Sequence, residues 1–82
     1  MTREEIFAKV VEIIRPFVKN QEALESVEDS TNILQDLKVN SARLVDIILD
    51  VEDAFDIEVE DEDADAVNTV GDAVELIAAR VS

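Results

Sequence analysis

The sequence predicts an all-α fold, a four-helix bundle with a short third helix and a long loop between helices one and two. Three observations carry that expectation. Apolar residues recur three and four positions apart in separate stretches, the spacing that lines one face of a helix. Two stretches are introduced by a hydroxyl residue with a carboxylate three positions on, Thr2 with Glu5 and Thr69 with Asp72, the pattern of a reciprocal helix cap. The one alternating stretch, residues 56–60, is too short to build a sheet and reads as an extended link.

Helix one follows Thr2, with Ile6, Val10, Ile13 and Phe17 at helical spacing and Phe7, Val11, Ile14 and Val18 widening the stripe. Pro16 should end or bend it, because proline removes a donor and crowds the carbonyl of Glu12. Residues 19–39 form a long connection, pinned by Leu24, Val27, Ile33, Leu34 and Leu37 and containing one or two short helical turns. Asp29, Ser30 and Asn32 are turn or cap residues within it. Asn40 is a good N-cap for helix two, which should run from Ser41 to about Phe55. On that helix Leu44, Ile47, Ile48, Val51 and Phe55, joined by Val45, face inward, while Asp46, Asp50 and Asp53 face another way. Ile57 and Val59 of the link point inward. Residues 61–67 make the short third helix, anchored by Ala64 and Val67. Val70, Ala73, Val74, Ile77 and Val81 make the last. The core they share is aliphatic, with Phe7, Phe17 and Phe55 as the sole aromatics, and such a core could open to admit a flexible apolar guest.

Eighty-two residues make a single domain, 1–82, with a net stability on the order of 5 kcal/mol. Cysteine and histidine are both absent, which removes the best protein nucleophile, the commonest general base and the soft metal ligands. One Gly and one Pro leave little material for phosphate loops. No catalytic residue and no metal site is expected. A formal charge of -14 repels nucleic acid and anionic membranes and attracts basic protein surfaces. Residues 1–5 are not a signal peptide and no apolar run can span a bilayer, so the expected chain is cytoplasmic.

The stretch Asp36-Leu37-Lys38-Val39-Asn40-Ser41-Ala42 resembles the D-L-G-x-D-S-L motif of the acyl carrier protein family. Glu52-Asp53-Ala54-Phe55-Asp56-Ile57 looks like that family's end of helix two, and Thr69-Val70 like the start of its last helix. The resemblance implies that Ser41 carries a covalent 4'-phosphopantetheine placed there by a phosphopantetheinyl transferase. It implies acyl cargo held as a thioester and delivered to acyl-transfer or synthase enzymes of fatty-acid, lipid or secondary-metabolite synthesis. Lys38 stands where the family has Gly, Asn40 where it has Asp, Ala42 where it has Leu, and Glu60 where it has Pro. Asn40 keeps the cap but loses a charge the transferase would meet, which suggests a specialised carrier.

The residues suit the chemistry that the resemblance implies. A chain without cysteine needs an imported thiol to form a thioester, and a serine hydroxyl can anchor one through a phosphodiester. The first turn of a helix suits the phosphate, because free N–H groups and the positive helix end face it. Arg43 is the sole basic residue between Ser41 and Val67, so Asp46, Asp50, Asp53 and Glu58 border a long acidic surface beside the attachment point. With Ala42, Arg43 and Leu44 they form the expected partner-binding surface, met by basic patches on enzymes. Arg43 either selects among partners or pairs with Asp46, worth roughly 0.2–0.5 kcal/mol. A monomer is expected, since the apolar stripes are used internally.

Three other readings compete. An acidic helical adaptor without a prosthetic group, or an aminoacyl or peptidyl carrier, would share much of this pattern. Asp61, Asp63, Asp65 and Asp72 match the spacing of a calcium loop, but Ala66 stands where that loop needs glycine.

Overall fold

The computed structural model describes residues 2–81, with Met1 and Ser82 outside the described residues. Four α-helices, α1 (Arg3–Ile14), α2 (Leu44–Phe55), α3 (Asp61–Asp65) and α4 (Val70–Val81), enclose one aliphatic core. Three short 3₁₀ turns accompany them, Arg15–Phe17, Gln21–Ser26 and Ser41–Arg43. α1 packs chiefly on α4 and less on α2. The most deeply buried side chains are Ile6, Val10, Ile14, Ile33, Leu37, Val70, Val74 and Ile77, without an aromatic among them.

α1 begins as its cap dictates. Thr2 Oγ1 accepts the N–H of Glu5 at 3.2 Å, and the Glu5 carboxylate accepts the N–H of Thr2 at 3.2 Å. That backbone bond, with the Thr2 hydroxyl, holds the Glu5 carboxyl below its ordinary value. Pro16 ends the α-helix at Ile14 by tightening Arg15–Phe17 into a 3₁₀ turn. The buried line of α1 is Ile6, Val10 and Ile14. Ile13 and Phe17, expected on its centre, are half-buried flank residues; Ile14 takes the buried place, and Phe17 lies in the turn beyond the helix.

The long connection is a sutured segment rather than a free loop. Asn32 and Asp36 clasp each other: Asp36 Oδ2 accepts the N–H of Asn32 at 2.8 Å, and the Asn32 carbonyl accepts the N–H of Asp36 at 2.9 Å. Residues 29–33 then bond to the start of α4. The carbonyl of Asp29 accepts the N–H of Gly71, that of Thr31 the N–H of Val70, and Ile33 donates to the carbonyl of Asn68. Thr69 Oγ1 accepts the N–H of Asp72, whose carboxylate in turn accepts the N–H groups of Asn68 and Thr69. The first donors of α4, which a helix leaves without internal partners, are all satisfied this way. Gly71 is required for the close approach: a Cβ there would lie 2.8 Å from the Asp29 carbonyl oxygen.

Three further expectations are corrected. Helix two does not begin as α-helix at Ser41, since Ser41–Arg43 is a 3₁₀ turn that tightens the helix entrance before α2 starts at Leu44. Val45 is not part of the inward face and is 64% exposed, as Leu49 is at 56%. Ile57 packs on the core, whereas Val59 lines an outer groove. α2 ends on Asp56 in the left-handed conformation (φ 54°), and the Glu52 carbonyl accepts the N–H groups of Asp56 and Ile57.

Candidate functional site

The site is built from the residues on either side of Ser41. Leu37 and Val39 are buried and anchor the approach to it. Between them Lys38 adopts a left-handed conformation (φ 58°), a turn that costs a β-carbon-bearing residue about 1–2 kcal/mol. Asn20 donates through its backbone N–H to the Leu37 carbonyl and through its side chain to that of Asp36, tying the approach to the segment that follows α1. Asn40 then caps the helix entrance, its Oδ1 accepting the N–H of Ala42 at 2.9 Å. The Arg43 N–H donates to the Asn40 carbonyl at 2.8 Å.

Ser41 is held out at the top of this entrance. It is exposed, and its hydroxyl is engaged by no other group among the described residues. The bonds made by Asn40 fix the backbone on either side of it and leave the hydroxyl unengaged.

Of the other residues expected at the site, Ala42 and Arg43 are exposed on the 3₁₀ turn. Leu44 is half-buried and stands between the core and the surface. Arg43 pairs with Asp46 at 3.2 Å. Asp50 and Asp53 are exposed and follow Asp46 at helical spacing along α2, and Glu58 is exposed on the link.

Sequence reasoning missed the feature beside that acidic line. A groove of about 210 Å³ runs from Ser41 between α2 and α3, walled by Leu44, Val45, Ile48, Leu49 and Val59. Glu52, Asp61, Ala64 and Asp65 complete its rim. Glu52 also shapes the far wall, because its carboxylate accepts the N–H of Val59 at 3.0 Å. A narrower apolar seam of about 10 Å³ adjoins the groove, with Leu44 and Ile48 as walls common to both. The signal for the groove was the surplus of apolar residues: six of the eight residues from 44 to 51 are aliphatic, more than one buried stripe can use.

The calcium-loop reading fails on geometry. Asp61, Asp63 and Asp65 lie on α3, not around a loop. Asp63 pairs with Arg80, and the Asp72 carboxylate is engaged by two N–H groups. Those bonds, from the Asn68 and then the Thr69 backbone, hold the Asp72 carboxyl below its ordinary value.

A free serine hydroxyl at a helix entrance, with a cation two residues on and no cysteine in the chain, fits a phosphodiester-linked thiol. The sequence profile of the family described as "Phosphopantetheine attachment site" matches residues 6–77. The chain belongs to that class of phosphopantetheine-bearing carrier domains, and within it to the acyl carrier protein family. It is 42% identical over 82 positions to an acyl carrier protein of Prochlorococcus marinus, covering 98% of each chain. It is 39% identical over 77 residues to one of Lactobacillus acidophilus, covering 94% of each. The solved structure of the acyl carrier protein from Enterococcus faecalis superposes with a TM-score of 0.78 at 39% identity, covering 96% of this chain and 98% of that one. The chain is thus an acyl carrier bearing covalent 4'-phosphopantetheine, and a carrier rather than an enzyme.

Proposed function

We propose that Ser41 is the attachment residue, that residues 1–82 are one carrier domain, and that α2 is the surface partner enzymes read. The supporting observation is the contrast between the immobilised backbone of residues 36–43 and the unengaged Ser41 hydroxyl. In loading, a phosphopantetheinyl transferase brings coenzyme A to the helix entrance. Ser41 Oγ loses its proton and bonds to the phosphorus next to the pantetheine. The diphosphate P–O bond breaks and adenosine 3',5'-bisphosphate leaves. The attached group supplies the thiol that the chain lacks.

This chain's own residues do the rest. Asn40 holds the entrance backbone rigid while the hydroxyl is presented. Asp46, Asp50, Asp53 and Glu58 steer basic patches of acyl-transfer or synthase enzymes onto α2, with Ala42, Arg43 and Leu44 at the contact edge. Val45 and Leu49 add an apolar ridge, exposed in the free protein, that such an enzyme can cover. The groove between α2 and α3 starts at Ser41 and offers apolar walls to a thioester-bound chain. The protein works as a cytoplasmic monomer with no nucleic-acid partner, in keeping with its charge.

Incubation with coenzyme A and a broad-specificity transferase tests the assignment by intact mass. One phosphopantetheinyl group should be gained by the protein and none by Ser41→Ala. Equal gain by that variant would refute Ser41, and no gain with several transferases would refute loading altogether.

A further inference from the structure

A second groove lies between the helix entrance and the turn that follows α1. It has a volume of about 440 Å³ and is lined by Pro16, Phe17, Val18, Lys19, Asn40 and Arg43. The two grooves beside Ser41 differ in charge. The α2–α3 groove carries Glu52, Asp61 and Asp65 on its rim. The other carries no carboxylate among its lining residues and two cations, in a chain with 7 basic against 21 acidic residues. Lys19 has no ion-pair partner among the described residues. Arg43 is paired with Asp46 through half-exposed side chains, and an exposed pair of this kind exchanges partners at little cost.

Resting on Ser41 as the attachment residue, we propose that this cationic groove is the berth of the arm's proximal end. The phosphodiester sits between Lys19 and Arg43, and the geminal methyl groups of the adjoining pantoyl unit lie against Phe17 and Pro16. The chemistry matches in order along the arm. The phosphate is the first group after Ser41 Oγ, and the carboxylates of the other groove repel it while the two cations attract it. The two methyl groups come next, one carbon beyond the ester oxygen, and the groove provides an apolar floor from a half-buried phenylalanine and an exposed proline. The berth holds only the near end of the arm. The distal thiol remains free to reach the α2–α3 groove or a partner's active site. Arg43, which interrupts the acidic surface at the attachment point, thereby acts as a positioning residue for the arm.

The test uses the full chain loaded with isotopically labelled phosphopantetheine, with loading verified by mass. Nuclear Overhauser cross-peaks from the geminal methyls to the Phe17 ring are expected at low salt. They should be lost in Lys19→Gln/Arg43→Gln and weakened at high salt, since exposed charges are screened. The phosphorus resonance should move with salt in the loaded parent and stay still in the double variant. Lys19→Gln alone should weaken the same cross-peaks, read on protein whose loading is verified by mass. Cross-peaks to Leu49 or Val59 instead, or to no residue of the chain, would overturn the berth while leaving the attachment reading intact. A Ser41 that never gains the group would overturn both.

Discussion

The two sides of this small bundle are held by different means. On one side α1 and α4 pack through deeply buried aliphatic residues, and the loop carbonyls of Asp29 and Thr31 are bonded into the first turn of α4. On the other, α2 and α3 leave Val45 and Leu49 in solvent beside an open groove, and α3 buries none of its five residues fully. The tight side keeps the fold, and the open side exposes the serine, the acidic line and the groove that a carrier presents. In a domain whose stability is on the order of 5 kcal/mol, function can be placed only where the core does not depend on it.

The widest separation between the sides should come from truncating one aliphatic residue on each. Ile77→Ala removes a side chain only 1% exposed and should cost about 2–5 kcal/mol, a large share of the total stability. Leu49→Ala should change stability by less than about 0.5 kcal/mol yet weaken binding to partner enzymes. Urea unfolding of both, with a binding titration of the second, checks the pair. A large loss of stability from Leu49→Ala would erase the distinction.

Gly71→Ala should cost about 1–3 kcal/mol by forcing Asp29 away from the start of α4. The loss should appear as faster hydrogen exchange at the Val70 and Gly71 amides, with loading at Ser41 retained.

Lys38→Gly should stabilise the protein by about 1 kcal/mol, because glycine relieves the left-handed strain and returns part of that gain as chain entropy. A midpoint unchanged in urea would show that the approach to Ser41 carries no strain.

The smallest effect is that of pH on the α4 cap. The Asp72 carboxyl is held below its ordinary value in the folded state, so its contribution is full above that value and is lost as pH falls through the folded one. The melting-temperature gap between the parent protein and Asp72→Asn should therefore be widest near neutrality and narrow below about pH 4. Comparing the two at each pH removes the background from the other carboxylates. A gap that widens in acid would reverse the assignment.

Much of this was legible because it is local. Caps act over three residues, so Thr2 with Glu5, Asn40, and Thr69 with Asp72 announced the helix starts, and Pro16 announced an end. Ser41 was legible from its neighbours, since the loop-to-helix pattern around it resembles a known attachment motif. The suture between residues 29–33 and 68–71 was not legible, because it is made by main-chain groups distant in sequence that leave no side-chain signature. Gly71 marked it, but a lone glycine at a helix start does not say what approaches it. The groove was obscured by its own composition. With six aliphatics in eight positions, periodicity could not decide that Val45 and Leu49 face water, a matter settled by how little α3 covers. The strain at Lys38 was visible only as a departure from the family's glycine.

The attachment assignment is tested most directly by fragmenting the protein as purified from cells that also make its transferase. The account predicts that every phosphopantetheinyl group is found on the peptide containing Ser41. A group located on Ser26, Ser30 or any other hydroxyl, or a chain that stays unmodified in those cells, would contradict it.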